Sequence, residues 1–594
     1  MCGIAGQFGV STPGFAEEAI AKLHHRGPDG DGVWQGEGVV LIHTRLAIIE
    51  LTEAGRQPME WRDCVSLGGS AGTGAPHAVL VFNGEIYNHA ELRAELEMAG
   101  EVFAGHSDTE VLLRLLVREG EACLPKLAGM FAFAFWDEAS GKALLVRDPL
   151  GIKPLYYREE NGHLTFASEA RMLRMEHDKT DAAALRDFFL WGSVPEPATL
   201  NEAVRQLPAG HCMKWQDGRS EVRQWYEIPS NIIPAKSDAA MLTRKALLES
   251  MRRHLVSDVP VGIFLSGGID STVLLALARE VMGPQADIRT FSIGFDDPAF
   301  DESSLAKRTS EHFGSRHTEW KMTPEEGAAE IPAFLASIDQ PSIDGFNTWC
   351  VSKLAHREGM KVVLSGLGGD EWFAGYGSFQ RVPRFHRVHR LLGPLRPLVA
   401  RVLDSRAVGS PWRRLASFLR GGGSWLEAFH AQRGIFTPVE AALLAETFTG
   451  RHPTPPDWHQ LGLPDDRRAA VGMLELTRYM RNQLLRDSDV FSMAHGLELR
   501  VPLVDVRLAE TLLSLPPELR LRQGKQLLLD AVPEVPEWVR NQAKRGFRFP
   551  FQQWMEGQFG ELLDSARKAS PVPMNAWYRN WAVATAMGVM KGKA

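Results

Sequence analysis

VPVGIFLSGGIDSTVLLALAREVM, residues 259–282, decides the fold of the larger part of this chain. VPVGIFL (259–265) is a short apolar run, the pattern of a strand buried on both faces. Turn-forming Ser and Gly follow, and from Asp270 to Met282 a polar start leads into an apolar helical body. RTFSIGF (289–295) and MKVVLSG (360–366) repeat the strand pattern. Short apolar strands alternating with helices predict an α/β unit with a parallel, doubly wound sheet. Beyond about residue 375 the chain reads as mostly helical, and it contains no internal repeat.

Upstream the pattern is different. VVLIHTRLAIIE (39–50), AVLVFNGEIY (78–87) and GMFAFAFWD (129–137) are rich in β-branched and aromatic residues. Alternation sends Phe131, Phe133 and Phe135 to one face and Ala132 and Ala134 to the other. Asn161-Gly162 between two such runs is a hairpin signal. One helix follows Asn88 and stops near Gly100; another opens on Ser107-Asp108-Thr109-Glu110, a capping-box pattern, and stops near Gly120. Strands with packed helices predict an α+β sandwich over 2–215, joined by a polar, Pro-containing stretch (216–238) to the α/β part, 238–594. The Gly-rich piece Gly68–Gly74 reads as a surface-loop insertion.

A chain of 594 residues exceeds a single core, in keeping with two parts. A net charge of -7 lacks the basic footprint of a nucleic-acid partner. No apolar run is long enough for a bilayer, and Met1-Cys2-Gly3-Ile4 does not begin a secretory signal. The five cysteines are scattered without a CxxC pair, which points to a reducing compartment, the cytoplasm, rather than to disulfides or zinc. From Arg381 to Arg420 stand ten arginines and one acid, Asp404. They read as solvated helix faces in an acidic whole, or as a patch for an anionic surface.

Cys2 acquires a free α-amine if Met1 is removed, and an N-terminal nucleophile can use its own amine as base. Alone it could equally be a small buried residue. It is followed in order by HHRGPDG (24–30), HTRLAIIE (43–50), FNGEIYNH (82–89) and SDTE (107–110). Arg45 can grip a carboxylate with its fork, Glu85 and Asp108 can accept from an ammonium, and Asn83 with the Gly84 N–H can stabilise an oxyanion. Singly, Asp108 could just complement a helix dipole, and Asn83-Gly84 could be an ordinary turn. The ordered set, from MCGIAG onward, resembles the glutaminase domains of class II glutamine amidotransferases, which have the N-terminal nucleophile (αββα sandwich) fold. That likeness covers 2 to about 210 and implies glutamine-site roles for Cys2, Arg45, Ile48, Asn83, Gly84, Glu85 and Asp108.

In the α/β part, Leu265, Ser266, Gly267, Gly268, Asp270 and Ser271 lie between strand and helix, where glycines let the backbone approach phosphate. No Lys follows, so this is not a Walker A loop. SGGxDS resembles instead the pyrophosphatase loop of enzymes that cleave ATP to AMP and pyrophosphate; a capped turn is the plainer alternative. A second cluster, SGLGGDE (365–371), with Ser365 and Gly366, follows another strand. Asp270 and Asp370 are hard-oxygen candidates for Mg²⁺ on the ATP phosphates. The likeness further implies nucleotide contacts for Ile293 and Lys525, the latter otherwise a solvent-facing lysine.

Glutaminase followed by SGGxDS is the layout of glutamine-hydrolysing asparagine synthetases, and the similarity runs to about 555 through RDSDVFSMAHGLELRVPLVD (486–505) and KRGFRFPFQQW (544–554). It implies that ammonia freed at Cys2 displaces AMP from an adenylated aspartate, with ATP and Mg²⁺ as cofactors and a homodimer as the assembly. One position departs: Leu367 stands where the family has Glu, and leucine can neither take a proton nor bind a cation. Three readings follow. Glu371 takes over in an asparagine synthetase, or the acceptor is another carboxylate such as a sugar uronate in polysaccharide synthesis. The third reading is a non-synthetic binding or regulatory relative.

Overall fold

The computed structural model describes residues 2–62, 77–229, 238–297, 300–406, 410–459, 462–542, 550, 554 and 560–590. The expected loop at Gly68–Gly74 and most of 544–554 lie outside them.

The strands of the first part are, in chain order, β1 (Gly3–Phe8), β2 (Gly30–Gly36), β3 (Val39–Arg45), β4 (Met59–Arg62), β5 (His77–Ile86), β6 (Gly129–Asp137), β7 (Lys142–Arg147), β8 (Tyr156–Glu160), β9 (His163–Ala167), β10 (Arg205–Gln206), β11 (His211–Gln216) and β12 (Arg219–Gln224). They form two six-stranded sheets, β10-β8-β9-β1-β3-β2 and β12-β11-β7-β6-β5-β4. Their alternation builds the layers. Ile4, Phe8, Leu41, Val79, Val81, Ala132 and Ala134 fill the space between the sheets. Phe131, Phe133 and Phe135 turn to the other side, against Leu92, Leu96, Val111 and Leu115 of the helices His89–Met98 and Asp108–Glu119. On the far face of the first sheet, Val40 and Ile42 pack on Phe15, Ala19 and Leu23 of the helix Phe15–Leu23. The result is the expected αββα sandwich.

Asn161 (φ 53°) and Gly162 (φ 80°) turn the β8–β9 hairpin with the two positive φ values that a tight I′ turn requires. Three expectations need correction. The strand begun at Val39 ends at Arg45 rather than running to Glu50, because the chain turns away there toward the second part. The capping box is half made: Ser107 accepts from Glu110 N, but the Glu110 carboxylate accepts from Ala104 N and Gly105 N instead. The first part also does not stop at Trp215, since β12 pairs along β11 up to Gln224.

In the second part β13 (Val261–Phe264), β14 (Arg289–Phe295), β15 (Arg316–Met322), β16 (Val362–Leu364) and β17 (Glu498–Arg500) form an all-parallel sheet in the order β15-β14-β13-β16-β17. The chain winds outward from β13 in one direction and resumes on its other side at β16. Both Gly-rich clusters therefore open at the switch point, where doubly wound sheets bind ligands. The helix Ile269–Met282 buries Val273, Leu274, Leu275 and Leu277 against this sheet. Among the described residues helices dominate after 375, with one exception: β17 is an edge strand that the sequence does not announce.

The two parts share core and charge. Tyr87, Met130, Leu150 and Ile152 of the first join the apolar cluster of Leu497, Leu499 and Val501 in the second. Arg26 pairs with Asp489 (2.7 Å), Lys361 with Asp29 (2.7 Å) and Arg481 with Glu196 (3.2 Å) across the junction. Arg26 also reaches Glu169 (3.1 Å) and Asp489 also reaches Lys153 (3.5 Å), so the Arg26–Asp489 pair belongs to a buried charge network in which neither partner depends on the other alone. In the Arg-rich stretch, Arg387 and Arg390 are exposed, Arg420 pairs with Asp404, and Arg381 and Arg384 face the cleft described next. No helix among the described residues is long and apolar enough to cross a membrane.

Candidate functional sites

Cys2 is buried at the head of β1. Antiparallel pairing brings Gly3 opposite Thr44, whose hydroxyl accepts from Gly3 N at 3.1 Å. The Cys2 nitrogen donates to Asn83 Oδ1 at 3.0 Å, and the Cys2 carbonyl accepts from Arg26 Nε at 3.3 Å. Burial pushes the thiol above its ordinary range, so it rests protonated and needs a base at the moment of attack. Asn83 Nδ2 is buried with no hydrogen-bond partner. An orphaned buried donor is costly and calls for a ligand or a function. Next to it, Gly84 has φ 151°, and a Cβ there would lie 2.1 Å from the Met130 carbonyl, so only glycine fits. Thiol, chain nitrogen, amide donor and glycine N–H are thus collected at one point on β1 and β5.

The other residues expected here are more committed. Arg45 donates to the carbonyls of Thr52 (3.0 Å) and Glu50, leaving part of its fork for a ligand. Ile48 packs on Leu46, Val362 and Met493, and its carbonyl accepts from Asp258 N, so its side chain is a seam residue. Asp108 accepts from Ile86 N at 2.9 Å, and burial raises its carboxyl. Glu85 stands 3.2 Å from Arg500 of the second part; burial and then the neighbouring Glu498 push it up.

The second site is a cleft of about 920 Å³ at the sheet switch point. Leu265, Ser266, Gly268, Asp270, Ser271, Ile293, Ser365, Gly366, Asp370 and Lys525 all line it. The loop is braced from within: Ser266 and Ser271 hydroxyls lie 3.2 Å apart, and Gly268 N donates to Ser266 Oγ. Gly267, at φ 74°, makes the turn. A Cβ on Gly369 would meet Asp270 Oδ1 at 2.2 Å, so the two clusters touch through a glycine. Lys525 is not a solvent-facing lysine. Its ammonium is buried between Asp270 and Asp370, the latter at 2.7 Å. Burial pulls its pKa down, but the two carboxylates outweigh that and hold it at about 12.

Leu367 also lines the cleft, and Glu371 stands on the same wall. The Tyr376 hydroxyl donates to Glu371 at 2.8 Å. Burial, then Asp370, raises the Glu371 carboxyl to about 7. Among the described residues no group of three or more His, Cys, Asp or Glu side chains could hold a metal. Two carboxylates converging on the phosphate loop still suit a hard cation that takes its remaining oxygens from phosphate and water. Arg26, Lys153, Asp489, Glu498 and Arg500, the buried charges between the two sites, were not singled out from the sequence. Arg26, Asp489, Glu498 and Arg500 lie within the quoted motifs at 24–30 and 486–505, which give no sign that these charges pair with one another.

The family model for asparagine synthase matches residues 242–591, and that for a glutamine amidotransferase domain matches 1–226. Asparagine synthetase (glutamine-hydrolyzing) 1 of Bacillus subtilis is 32% identical over 585 residues, covering 95% of this chain and 89% of that one. Asparagine synthetase (glutamine-hydrolyzing) 3 of the same organism is 29% identical, covering 89% and 83%. Asparagine synthetase B (glutamine-hydrolyzing) of Escherichia coli is 31% identical, covering 66% of this chain and 67% of that one.

Proposed function

The chain belongs to the glutamine-hydrolysing asparagine synthetase family, and from that premise we propose that it makes asparagine from aspartate, glutamine and ATP. One juxtaposition carries the reading. A buried thiol lies beside an amide whose Nδ2 has no partner, and Tyr87 and Met130 of the same part share a core with the cleft in which Lys525 gathers Asp270 and Asp370.

Cys2 Sγ attacks the glutamine carboxamide carbon. The chain nitrogen of Cys2, an α-amine once Met1 is gone, takes the thiol proton. Asn83 Nδ2 and the Gly84 N–H receive the oxyanion. The Cys2 nitrogen returns that proton to the substrate nitrogen, so collapse breaks the C–N bond and expels ammonia; water then frees glutamate from the thioester. Arg45, Glu85 and Asp108 hold the ends of glutamine, and Ile48 offers backbone. Loss of one oxyanion donor typically costs 10²–10³-fold in turnover, so Asn83→Ala is expected to cut glutamine hydrolysis by about that factor with KM nearly unchanged. Glutamate release measures it, and an unaltered turnover number would remove the amide from this role.

In the cleft, ATP phosphates lie along Ser266–Ser271, with Lys525 drawn toward the departing pyrophosphate and Ile293 and Leu265 toward the base. Mg²⁺, held by Asp270 and Asp370, would neutralise phosphate charge there. The aspartate β-carboxylate attacks the α-phosphorus, giving β-aspartyl-AMP and pyrophosphate; ammonia displaces AMP. Ammonia is a nucleophile only while unprotonated, so it crosses the water-poor seam of Met130, Leu150, Leu497 and Leu499. Leu367 offers no proton acceptor, whereas Glu371, kept near neutrality by its burial, is available on the same wall. A cytoplasmic homodimer accords with family membership and with the four described cysteines, all free and buried.

The deciding experiment supplies glutamine, ATP, Mg²⁺ and one acid from a panel containing aspartate and several uronates. Asparagine, AMP and pyrophosphate in equal amounts are expected with aspartate alone. AMP release with a uronate and none with aspartate would move the assignment to another acceptor.

A further inference from the structure

Arg500 belongs to both sites at once. Its backbone lies in β17, where its carbonyl accepts from Ser365 N at 2.9 Å, at the first residue of the second phosphate-facing cluster. Its side chain stays bonded within the second part and presents one edge, Nη2, 3.2 Å from the carboxylate of Glu85 in the first. Glu85 follows Asn83 and Gly84 on β5, so that carboxylate sits one residue beyond the proposed oxyanion donors. No other residue described above touches a phosphate-loop amide with its main chain and the thiol pocket with its side chain.

The guanidinium is completely buried and tightly held on one side. Nη1 donates to the carbonyls of His254 (2.8 Å) and Val256 (2.6 Å), and Nε donates to Glu498 of the same strand. The side facing Glu85 is different. Nη2 lies within contact distance of the carboxylate, yet it makes no aligned hydrogen bond and is an orphaned buried donor. A buried charge-assisted hydrogen bond left unmade by angle alone is destabilising. A small shift of β17 against β5 would complete it.

We propose that Arg500 is a positioning residue that ties glutamine hydrolysis at Cys2 to occupancy of the nucleotide cleft. The 365–371 cluster borders the bound adenylate, and Ser365 is anchored to Arg500 through the ladder between β16 and β17. Tightening of that cluster around an acyl-adenylate moves the guanidinium into line with Glu85. Glu85 is then fixed where the ammonium of glutamine must be met, so glutamine binds productively when an electrophile is ready for its ammonia. Each ligand favours the same arrangement of one charge pair, and the coupling is therefore reciprocal. The idea rests on the asparagine-forming reading for the identity of the acceptor, but not for the pair itself.

The test uses the full chain and one ratio: kcat/KM for glutamine hydrolysis with ATP, Mg²⁺ and aspartate, divided by its value without them. The native protein is expected to show a ratio of at least about fivefold, the lower end of ordinary site-to-site coupling. Arg500→Lys keeps the charge but loses the fork. It should bring the ratio to about one, while asparagine formation from ammonium salts persists. If that variant fails to fold, Glu85→Gln probes the same pair from the other side with the cleft untouched, and its ratio should fall likewise. Where both variants fold, the double variant should lose no more coupling than either single one. A native ratio of one, a full ratio in Glu85→Gln, or additive losses would each overturn the proposal. A native protein that forms no asparagine yet shows the ratio with another acid would overturn the acceptor assignment instead.

Discussion

Alanine at Cys2 is expected to yield a protein that makes asparagine from ammonium salts and none from glutamine. The substitution removes one sulfur from a buried site and leaves the strand pairing of Gly3 with Thr44 intact, so the fold has little to lose. It removes the only atom proposed to bond the glutamine carbon. The chain nitrogen, Asn83 and Gly84 remain but have no adduct to stabilise. Loss of a nucleophile of this kind lowers turnover by about 10⁴-fold or more, the remainder coming from binding and the oxyanion hole. The cleft is built from different strands, so its ammonia-dependent rate should change by less than about twofold, as expected for independent sites. Asparagine measured with each nitrogen source settles the matter. Parallel loss of both activities would show that the two chemistries are not divided as described.

The parts of this fold that were legible beforehand are those written in local pattern. Alternation along 129–137 separates the phenylalanines of one layer from the alanines of the next, and the structure repeats that division residue by residue. The strand–loop–helix at 259–282 needs only neighbours in sequence to be recognised, and so does the turn at Asn161-Gly162. What was not legible depends on distant partners. β17 is three residues long and carries Glu498 and Arg500, charges that a pattern of apolar strands excludes. They are tolerated because each neutralises the other and Glu85 lies opposite. Lys525 reads as a surface lysine from its own neighbours, and only the family likeness pointed it to the nucleotide; the fold brings it 255 positions back to Asp270. Arg45 has the right chemistry for a carboxylate, but its local turn offers carbonyls that take up part of its fork. The glutaminase motifs were recognised as a set; Arg26, Asp489, Glu498 and Arg500 also lie inside quoted motifs, but their roles were not legible because they pair across the junction between the two parts.

Alanine at Asp270 should do the reverse of alanine at Cys2: glutamine is still split, and pyrophosphate is no longer released. Asp270 is one of two carboxylates that share the Lys525 ammonium, and it stands at the head of the helix Ile269–Met282 beside the phosphate loop. Without it Lys525 keeps only Asp370 of the two carboxylates that offset its burial, so its ammonium is less firmly held in place. The cleft would then hold the Lys525 ammonium less precisely for the departing pyrophosphate, and offer one carboxylate fewer for Mg²⁺. Both losses act on charge that develops in the transition state, so a fall of at least about 10³-fold in acceptor-dependent pyrophosphate release is expected. Asp270→Asn separates charge from shape, because the amide fills the same space against Gly366 and Gly369. If asparagine at 270 restores the rate, the carboxylate charge is not what the cleft requires. The nucleotide product supplies a second check. Cleavage between the α and β phosphates leaves AMP, and ADP in its place would contradict the loop's proposed chemistry whatever the rates. Glutamine hydrolysis in the Asp270→Ala protein should continue at the unstimulated rate, because no adenylate forms to draw Arg500 toward Glu85. A thiol pocket that stayed fully stimulated without an adenylate would break the link between the two sites while leaving each of them intact.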